Sequence, residues 1–387
     1  MPAKPKPSTA LKIGFVFDDS LDKPDGVQQY ILSVGDWLRS QGHDVHYLVG
    51  HTERSDLVNV HSLSRNLRVR FNGNVLSMPM PTSRRKLAKF LSDQSFDVIH
   101  VQVPYSPWLG GRLIAAAGPQ TAVVGTFHIA PYSRLVSVAT GFLGWYTRRT
   151  TQRFDEMLSV SSAAQVFAKQ TFAIDSQVVP NAINIQRFAS GTRLSRFDNS
   201  KLNIVFLGRL VPRKGCHILL EAVNILRQSD DDFAPRVIIC GKGPELPALQ
   251  AYVAKYKLEN IVEFVGFVSE ADKPDYYASA DIAVFPSSAG ESFGIVLVEA
   301  MASGRAAVLG GDNSGYRSVL APQPALLFDP KCSKALADKL ALLLDDQYLR
   351  KSLADWGGDY ARQFDQAVVG RQILQCYDQA LQKRRSR

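Results

Sequence analysis

Ile204-Val205-Phe206-Leu207-Gly208-Arg209-Leu210-Val211-Pro212-Arg213-Lys214-Gly215 is the stretch on which the fold class turns. A short apolar run of β-branched and large side chains stops at a glycine, and a basic turn carrying Pro212 leads into the helical periodicity of Cys216 to Arg227. The unit recurs downstream. Val237 to Cys240, Val262 to Val265, Ile282 to Phe285 and Ala306 to Leu309 are expected strands; Glu245 to Tyr256, Ser292 to Ser303 and Lys334 to Leu344 are expected helices. Alternation of this kind covers each strand with helices on both faces, so a parallel, doubly wound α/β sheet is predicted.

Toward the N-terminus the same alternation is present. Lys12 to Phe17, Asp44 to Val49, Val98 to Val101, Ala122 to Thr126 and Met157 to Val160 read as strands. Val27 to Gln41, Ser83 to Gln94 and Ser162 to Thr171 read as helices, the first stopped by Gly42. The polar, irregular stretch Ser190 to Ser200 is the expected linker. With 387 residues and 45% hydrophobic content the chain can fill two cores. Two domains are therefore expected, residues 11–190 and 200–365, with a ligand cleft between their sheets.

Composition removes several classes of function. Met1 to Pro7 carries charge and proline without the apolar core of a secretory signal, and reads as a disordered tail. The best apolar stretch, Val138 to Tyr146, is short and interrupted by Thr140, Gly141 and Gly144, so a soluble or peripheral protein is expected. Cys216, Cys240, Cys332 and Cys376 lie far apart with no C-x-x-C pair; reduced, buried thiols of a cytoplasmic protein are expected, and no metal site. The charge is uneven. Residues 65–153 hold twelve Lys and Arg against Asp93 and Asp97, enough to account for the net +9 of the whole chain.

The chemistry concentrates in Gly290-Glu291-Ser292-Phe293-Gly294-Ile295-Val296-Leu297-Val298-Glu299-Ala300-Met301-Ala302-Ser303-Gly304. With a helix starting just after Glu291, Glu291 and Glu299 lie roughly 12 Å apart along its axis, so one can reach a sugar hydroxyl and the other a ribose. The free N–H groups of Phe293, Gly294 and Ile295 at that helix start suit a diphosphate, because the helix dipole is positive there and glycine admits close backbone approach. Arg209 and Lys214 are expected at the cleft edge, where cations neutralise a leaving diphosphate. Gly241-Lys242-Gly243 is a weaker signal, since glycines end many strands. In the N-terminal half, Pro24-Asp25-Gly26-Val27 joins the first strand to its helix and is expected to face the donor. His128, closing Thr126-Phe127-His128, is a candidate partner for a sugar hydroxyl.

With Phe96-Asp97-Val98-Ile99-His100 and Pro180-Asn181-Ala182-Ile183-Asn184, these stretches resemble the large family of retaining glycosyltransferases with the GT-B fold, and look closest to its phosphatidylinositol mannosyltransferases. Glu291 to Glu299 matches the family's E-x7-E motif, and the resemblance runs from near Leu11 to near Asp378. It implies two facing Rossmann-like domains and a crossover helix, residues 366–383, that returns to the N-terminal domain. It also implies a nucleotide-diphosphate sugar as substrate and no tightly bound cofactor. Carried over, Arg209 and Lys214 bind the diphosphate, Glu291 the transferred sugar and Glu299 the ribose; His128 and Gly26 serve the sugar and donor, and Val268, Glu270 and Lys273 the base and phosphates. The subgroup shows a basic helix like Ser83 to Phe90. Arg84, Arg85, Lys86 and Lys89 are accordingly expected to meet an anionic membrane surface, with Leu87 and Phe90 available to pack or insert. The chain departs from the family at Glu270, where the subgroup tends to have Asp, at Asp25-Gly26 for the usual Gly-Gly pair, and at Ala182, Ile183 and Asn184 of the Pro-Asn-Gly-Val-Asp motif.

The expected reaction is transfer of a hexose, mannose from GDP-mannose first, to a membrane lipid or lipid-linked acceptor with retention at the anomeric carbon. The expected location is the inner face of the cytoplasmic membrane. A retaining hydrolase needs two acids about 5 Å apart, and the motifs suggest no such pair; a same-face route assisted by the leaving diphosphate is expected instead. The alternatives are a UDP-sugar-dependent transferase acting on a soluble acceptor, and a non-catalytic scaffold on an anionic surface. Arg209, Lys214, Glu291 and Glu299 together argue against the scaffold. No G-x-G-x-x-G follows Lys12 to Phe17, which argues against a Rossmann dehydrogenase, and no nucleic-acid partner is expected.

Overall fold

The computed structural model describes residues 10–22, 25–71, 74–129, 146–229, 233 and 235–386. Met1 to Pro7, Pro24 and all of Val138 to Tyr146 but its last residue lie outside them. The chain divides into two compact units, one of Met1–Ala182 with Gln366–Arg387 and one of Ile183–Asp365.

The first unit runs β1 (Lys12–Phe17), α1 (Gly26–Ser40), β2 (Asp44–Val49), β3 (Val60–Ser62), β4 (Asn66–Phe71), β5 (Asn74–Pro79), α2 (Arg84–Gln94), β6 (Val98–Val101), α3 (Leu109–Ala116), β7 (Ala122–Phe127), β8 (Glu156–Ser159), α4 (Ser162–Phe172) and β9 (Gln177–Val178). Its main sheet has the order β3-β2-β1-β6-β7-β8-β9, and every pairing in it is parallel. The central strands are apolar at successive positions because both faces are covered: Ile13, Phe15, Val16, Val98 and Ile99 are fully buried. Strand order reverses between β1 and β6, the switch point at which loops of an open α/β sheet leave room for a ligand. The β4–β5 hairpin stands apart as an antiparallel pair.

The second unit runs α5 (Ile185–Ala189), β10 (Asn203–Leu207), α6 (Cys216–Ser229), β11 (Arg236–Cys240), α7 (Leu246–Lys255), β12 (Val262–Gly266), α8 (Lys273–Ala278), β13 (Ile282–Phe285), α9 (Ile295–Ala302), β14 (Ala307–Gly311), α10 (Ser314–Leu320), β15 (Leu327–Phe328), α11 (Ser333–Asp345) and α12 (Gln347–Ala361). Its parallel sheet has the order β12-β11-β10-β13-β14-β15 and reverses between β10 and β13. The stretch from Ser190 to Ser200 is not the linker its composition suggests. Arg193 donates to both carboxylate oxygens of Asp281 at 3.2 Å, Thr192 N–H donates to Asp275 at 2.7 Å, and Phe197 is buried. Those bonds tie it into the second unit, and the change of unit falls between Ala182 and Ile183.

The last helix, α13 (Gln366–Arg385), belongs to the first unit. Val369, Ile373, Cys376, Tyr377 and Ala380 join the core that holds Ile13, Tyr30, Trp37 and Leu38. Gly370 permits this packing, since a Cβ there would come within 2.1 Å of the Trp37 ring. Cys216, Cys240 and Cys376 are buried, whereas Cys332 is exposed ahead of α11, contrary to the expectation that all four thiols are interior. None of the described helices is long and apolar enough to cross a membrane.

Candidate active site

At the switch point of the second unit, the loops after β10, β11 and β12 are laced together by backbone hydrogen bonds. Gly208 N–H donates to Cys240 O at 2.9 Å, Leu210 N–H to Lys242 O at 3.0 Å, and Gly241 N–H to Gly266 O at 2.7 Å. A Cβ on Gly241 would sit 1.9 Å from Gly208 O, and one on Gly243 2.1 Å from Leu210 O. The weak glycine signal of the sequence thus marks two loops that touch backbone to backbone. The β10 loop then turns through Pro212–Lys214, is closed by Gly215 at φ 69°, and delivers Arg213 and Lys214 ahead of α6.

These cations converge on Glu291. Its Oε1 lies 2.8 Å from Lys214 Nζ and 3.1 Å from Arg213 Nη1, and accepts from Ser287 Oγ at 2.8 Å. Burial disfavours its charge, but Lys214 and Arg213 outweigh that, so the carboxyl titrates below its ordinary range and is ionised at neutral pH. Lys214, Arg213 and Glu291 together leave a net +1, and Arg209 is half-buried on the same loop. A cluster of that sign attracts phosphate.

The helix expected from Ser292 begins only at Ile295, because Gly294 takes the left-handed conformation at φ 98° and serves as its N-cap. Glu291 therefore lies outside the helix that carries Glu299, and the axial spacing of about 12 Å does not apply to the pair. Helix geometry leaves the N–H groups of Ile295 and Val296 without intrahelical acceptors. Phe293 is buried and packs edge-to-face on Phe364 at 5.4 Å, so only its backbone can serve a ligand. A Cβ on Gly294 would meet Tyr316 Cδ1 at 2.6 Å, and one on Gly315 would meet Glu291 O at 2.3 Å. Gly294→Ala is accordingly expected to destabilise the protein by about 2 kcal/mol or more through backbone strain and overpacking. An unchanged midpoint in urea unfolding would contradict this.

Glu299 forms a second cluster. It is 2% exposed, accepts from Tyr277 OH at 3.1 Å, and lies 3.4 Å from Lys273 Nζ, which in turn pairs with Glu270 at 2.7 Å. Burial raises the Glu299 carboxyl above its ordinary range; Lys273 opposes this and Glu270 adds to it. Lys273 is held protonated, since the two carboxylates outweigh its own burial. Arg187 also reaches Glu270 at 3.9 Å, so two cations balance the two acids, and the carboxylates are the cluster's acceptors for hydroxyl donors. Val268 is buried on the loop leading to Glu270.

The structure thus brings Lys214 to Glu291, and Glu270 and Lys273 to Glu299. Sequence reading missed Arg213, Ser287 and Tyr277 as partners. Tyr277 was detectable, standing four residues after Lys273 and so on the same helix face; Ser287 was not, because only the fold of the β13 loop aims it.

In the first unit, His128 follows β7 and is 7% exposed. Its Nε2 lies 2.8 Å from Gln102 Oε1, and the Tyr30 ring packs edge-on at 4.9 Å. Burial pushes its pKa down to about 3, so it is neutral. Gly26 is exposed at the first turn of α1, with Asp25 in extended conformation as the N-cap. Asp25 thus needs no glycine-like backbone. On α2, Arg84, Arg85, Lys86 and Lys89 are all exposed, and Lys89 pairs with Asp93 at 2.7 Å. Leu87 is buried and Phe90 half-buried against His61 and Phe96. Of the two expectations for them, packing or insertion, both pack against the protein.

The chain resembles known proteins over most of its length. The family model for glycosyl transferases group 1 matches residues 193–362, and that for glycosyltransferase family 4 matches residues 24–187. The phosphatidyl-myo-inositol mannosyltransferase of Mycobacterium tuberculosis H37Rv is 32% identical over 378 residues, covering 95% of this chain and 97% of that protein. Among solved structures, a glycosyltransferase from Rickettsia africae ESF-5 aligns with a TM-score of 0.78 at 17% identity, covering 97% of this chain and 99% of that one. Anabaena Alr3699/HepE in complex with UDP-glucose aligns with a TM-score of 0.69 at 19% identity, covering 94% and 98%.

Proposed function

Since the chain belongs to the glycosyl transferases group 1 family and is a glycosyltransferase of the GT-B fold, we propose that it transfers mannose from GDP-mannose to a phosphatidylinositol-type membrane lipid, with retention at the anomeric carbon. The net-cationic cluster of Lys214, Arg213 and Glu291 is the observation that carries this reading. Arg209 and Lys214 hold the diphosphate, with the N–H groups of Gly294 and Ile295 at the start of α9. Glu291, ionised, accepts from hydroxyls of the transferred sugar. Glu299 accepts from the ribose, Val268, Glu270 and Lys273 meet the base and phosphates, and Gly26 and His128 serve the donor and its sugar.

The reaction breaks the bond from the sugar C1 to the phosphate oxygen and forms a bond from C1 to the acceptor oxygen on the same face. The acceptor proton passes to the departing phosphate oxygen. Negative charge grows on the diphosphate as the bond lengthens, and fixed cations stabilise that state more than the ground state. A sugar trapped covalently on the enzyme would refute this route. The lipid acceptor is supported by the relative's substrate, and a peripheral location on the inner face of the cytoplasmic membrane by the exposed cations of α2.

Calorimetry with a panel of nucleotide sugars tests the donor, and GDP-mannose is expected to bind most tightly. Glu299→Ala is expected to weaken that binding by about ten- to a hundredfold, the cost of charge-assisted hydrogen bonds to ribose. Equal affinity of the variant would remove Glu299 from the nucleotide site.

A further inference from the structure

Gln102 and His128 stand one residue beyond the C-terminal ends of the adjacent parallel strands β6 and β7, and are 1% and 7% exposed. The Gln102 backbone is fixed by its N–H donating to Val16 O at 3.0 Å. Its side-chain amide lies 3.3 Å from His100 O. A carbonyl oxygen only accepts, so the amide must present its NH2 to His100, and this turns Oε1 toward His128. That oxygen, 2.8 Å from His128 Nε2, also only accepts, so Nε2 must carry the ring proton. A neutral imidazole protonated on Nε2 has a lone pair on Nδ1.

We propose that Gln102 is a positioning residue that locks His128 in the Nε2–H tautomer, so that Nδ1 accepts a hydrogen bond from one hydroxyl of the transferred sugar. The inference deepens the reading above, in which His128 lies beside that sugar. It adds a selectivity. A sugar with a hydroxyl at that position donates to Nδ1, whereas a deoxy or O-methyl sugar leaves a buried acceptor unpaired. Burial keeps the ring uncharged, so the arrangement is unaltered across the physiological pH range.

Nitrogen-15 NMR of the full chain with labelled histidine tests the tautomer, with His128→Asn to assign the resonance. In the wild type the His128 ring is expected to show a protonated Nε2 and no titration between about pH 5.5 and 8. Gln102→Leu is expected to give a tautomer mixture and lower kcat roughly tenfold, with donor KM within about twofold. Gln102→Glu sets a carboxylate beside the ring, raises its pKa and makes Nδ1 a donor; its kcat is expected to rise with pH as the ring loses that proton, where the wild type is flat. A wild-type ring protonated on Nδ1, or a Gln102→Leu spectrum and Gln102→Glu pH profile like the wild type, would overturn the proposal. Donors lacking one sugar hydroxyl at a time, offered to wild type and His128→Asn, read the sugar contact separately. Equal discrimination by both proteins, with the tautomer confirmed, would overturn the acceptor role and the placing of His128 beside the sugar, but not the lock.

Discussion

Lys214→Ala and Arg209→Ala are each expected to lower kcat by about 10²- to 10³-fold while donor KM changes less than tenfold, because a fixed cation facing a leaving diphosphate acts mainly in the transition state. Lys214 is 16% exposed in its side chain and already lies 2.8 Å from a carboxylate, so it is held in place before substrate arrives. Preorganisation of that kind makes such a group worth more than a mobile surface lysine. Its removal also leaves Glu291 with Arg213 and Ser287 as remaining partners. Arg213→Ala separates the two effects. If the loss came only from a loosened Glu291, Arg213→Ala would match Lys214→Ala; the expected loss is smaller, about tenfold, since the Arg213 side chain is 35% exposed and better screened. Steady-state kinetics on folded variants decides this, and wild-type turnover in both Lys214→Ala and Arg209→Ala would end the leaving-group assignment.

Changing Arg84, Arg85, Lys86 and Lys89 together to Ser is expected to weaken cosedimentation with anionic vesicles about a hundredfold at low salt and leave nucleotide binding intact. Each cation near an anionic surface contributes about 1 kcal/mol, and Lys89 contributes least because Asp93 holds it. With Leu87 and Phe90 turned inward, binding rests on charge. It is therefore expected to fall steeply with ionic strength in the wild type. Equal vesicle binding by both proteins, or by neither, would favour a soluble acceptor.

Strand edges were legible in the sequence wherever an apolar run met a turn: β1, β2, β6 and β13 begin and end at the expected residues. Shorter and mixed elements were not. β3 has three residues of which only Val60 is apolar, and α3 contains Gly110 and Gly111, which lower helix propensity, although Gly111 is needed where a Cβ would meet Ser106 O at 2.6 Å. The start of α9 was misplaced because the left-handed backbone of Gly294 cannot be told by composition from an ordinary first-turn glycine. The linker was misplaced because the ion pair of Arg193 with Asp281 spans 88 residues, a contact only the folded chain displays. The candidate site residues were legible as motifs, but their partners came from the tertiary structure.

The place of α13 in the first unit bears on how the protein is made. Tyr377 lies 2.8 Å from His100, and Arg384 Nε donates to the buried Asp155 at 2.8 Å, so the core begun at β1 is closed only by residues translated after the entire second unit. The usual order of synthesis, in which the N-terminal domain is finished first, is therefore reversed. On the ribosome the Ile183–Asp365 unit emerges whole while the opening Rossmann-like unit waits, its Trp37 face uncovered, for the last helix. A fragment ending near Ala182 lacks that helix, and a nascent chain stalled before Gln366 exposes the same apolar surface to chaperones.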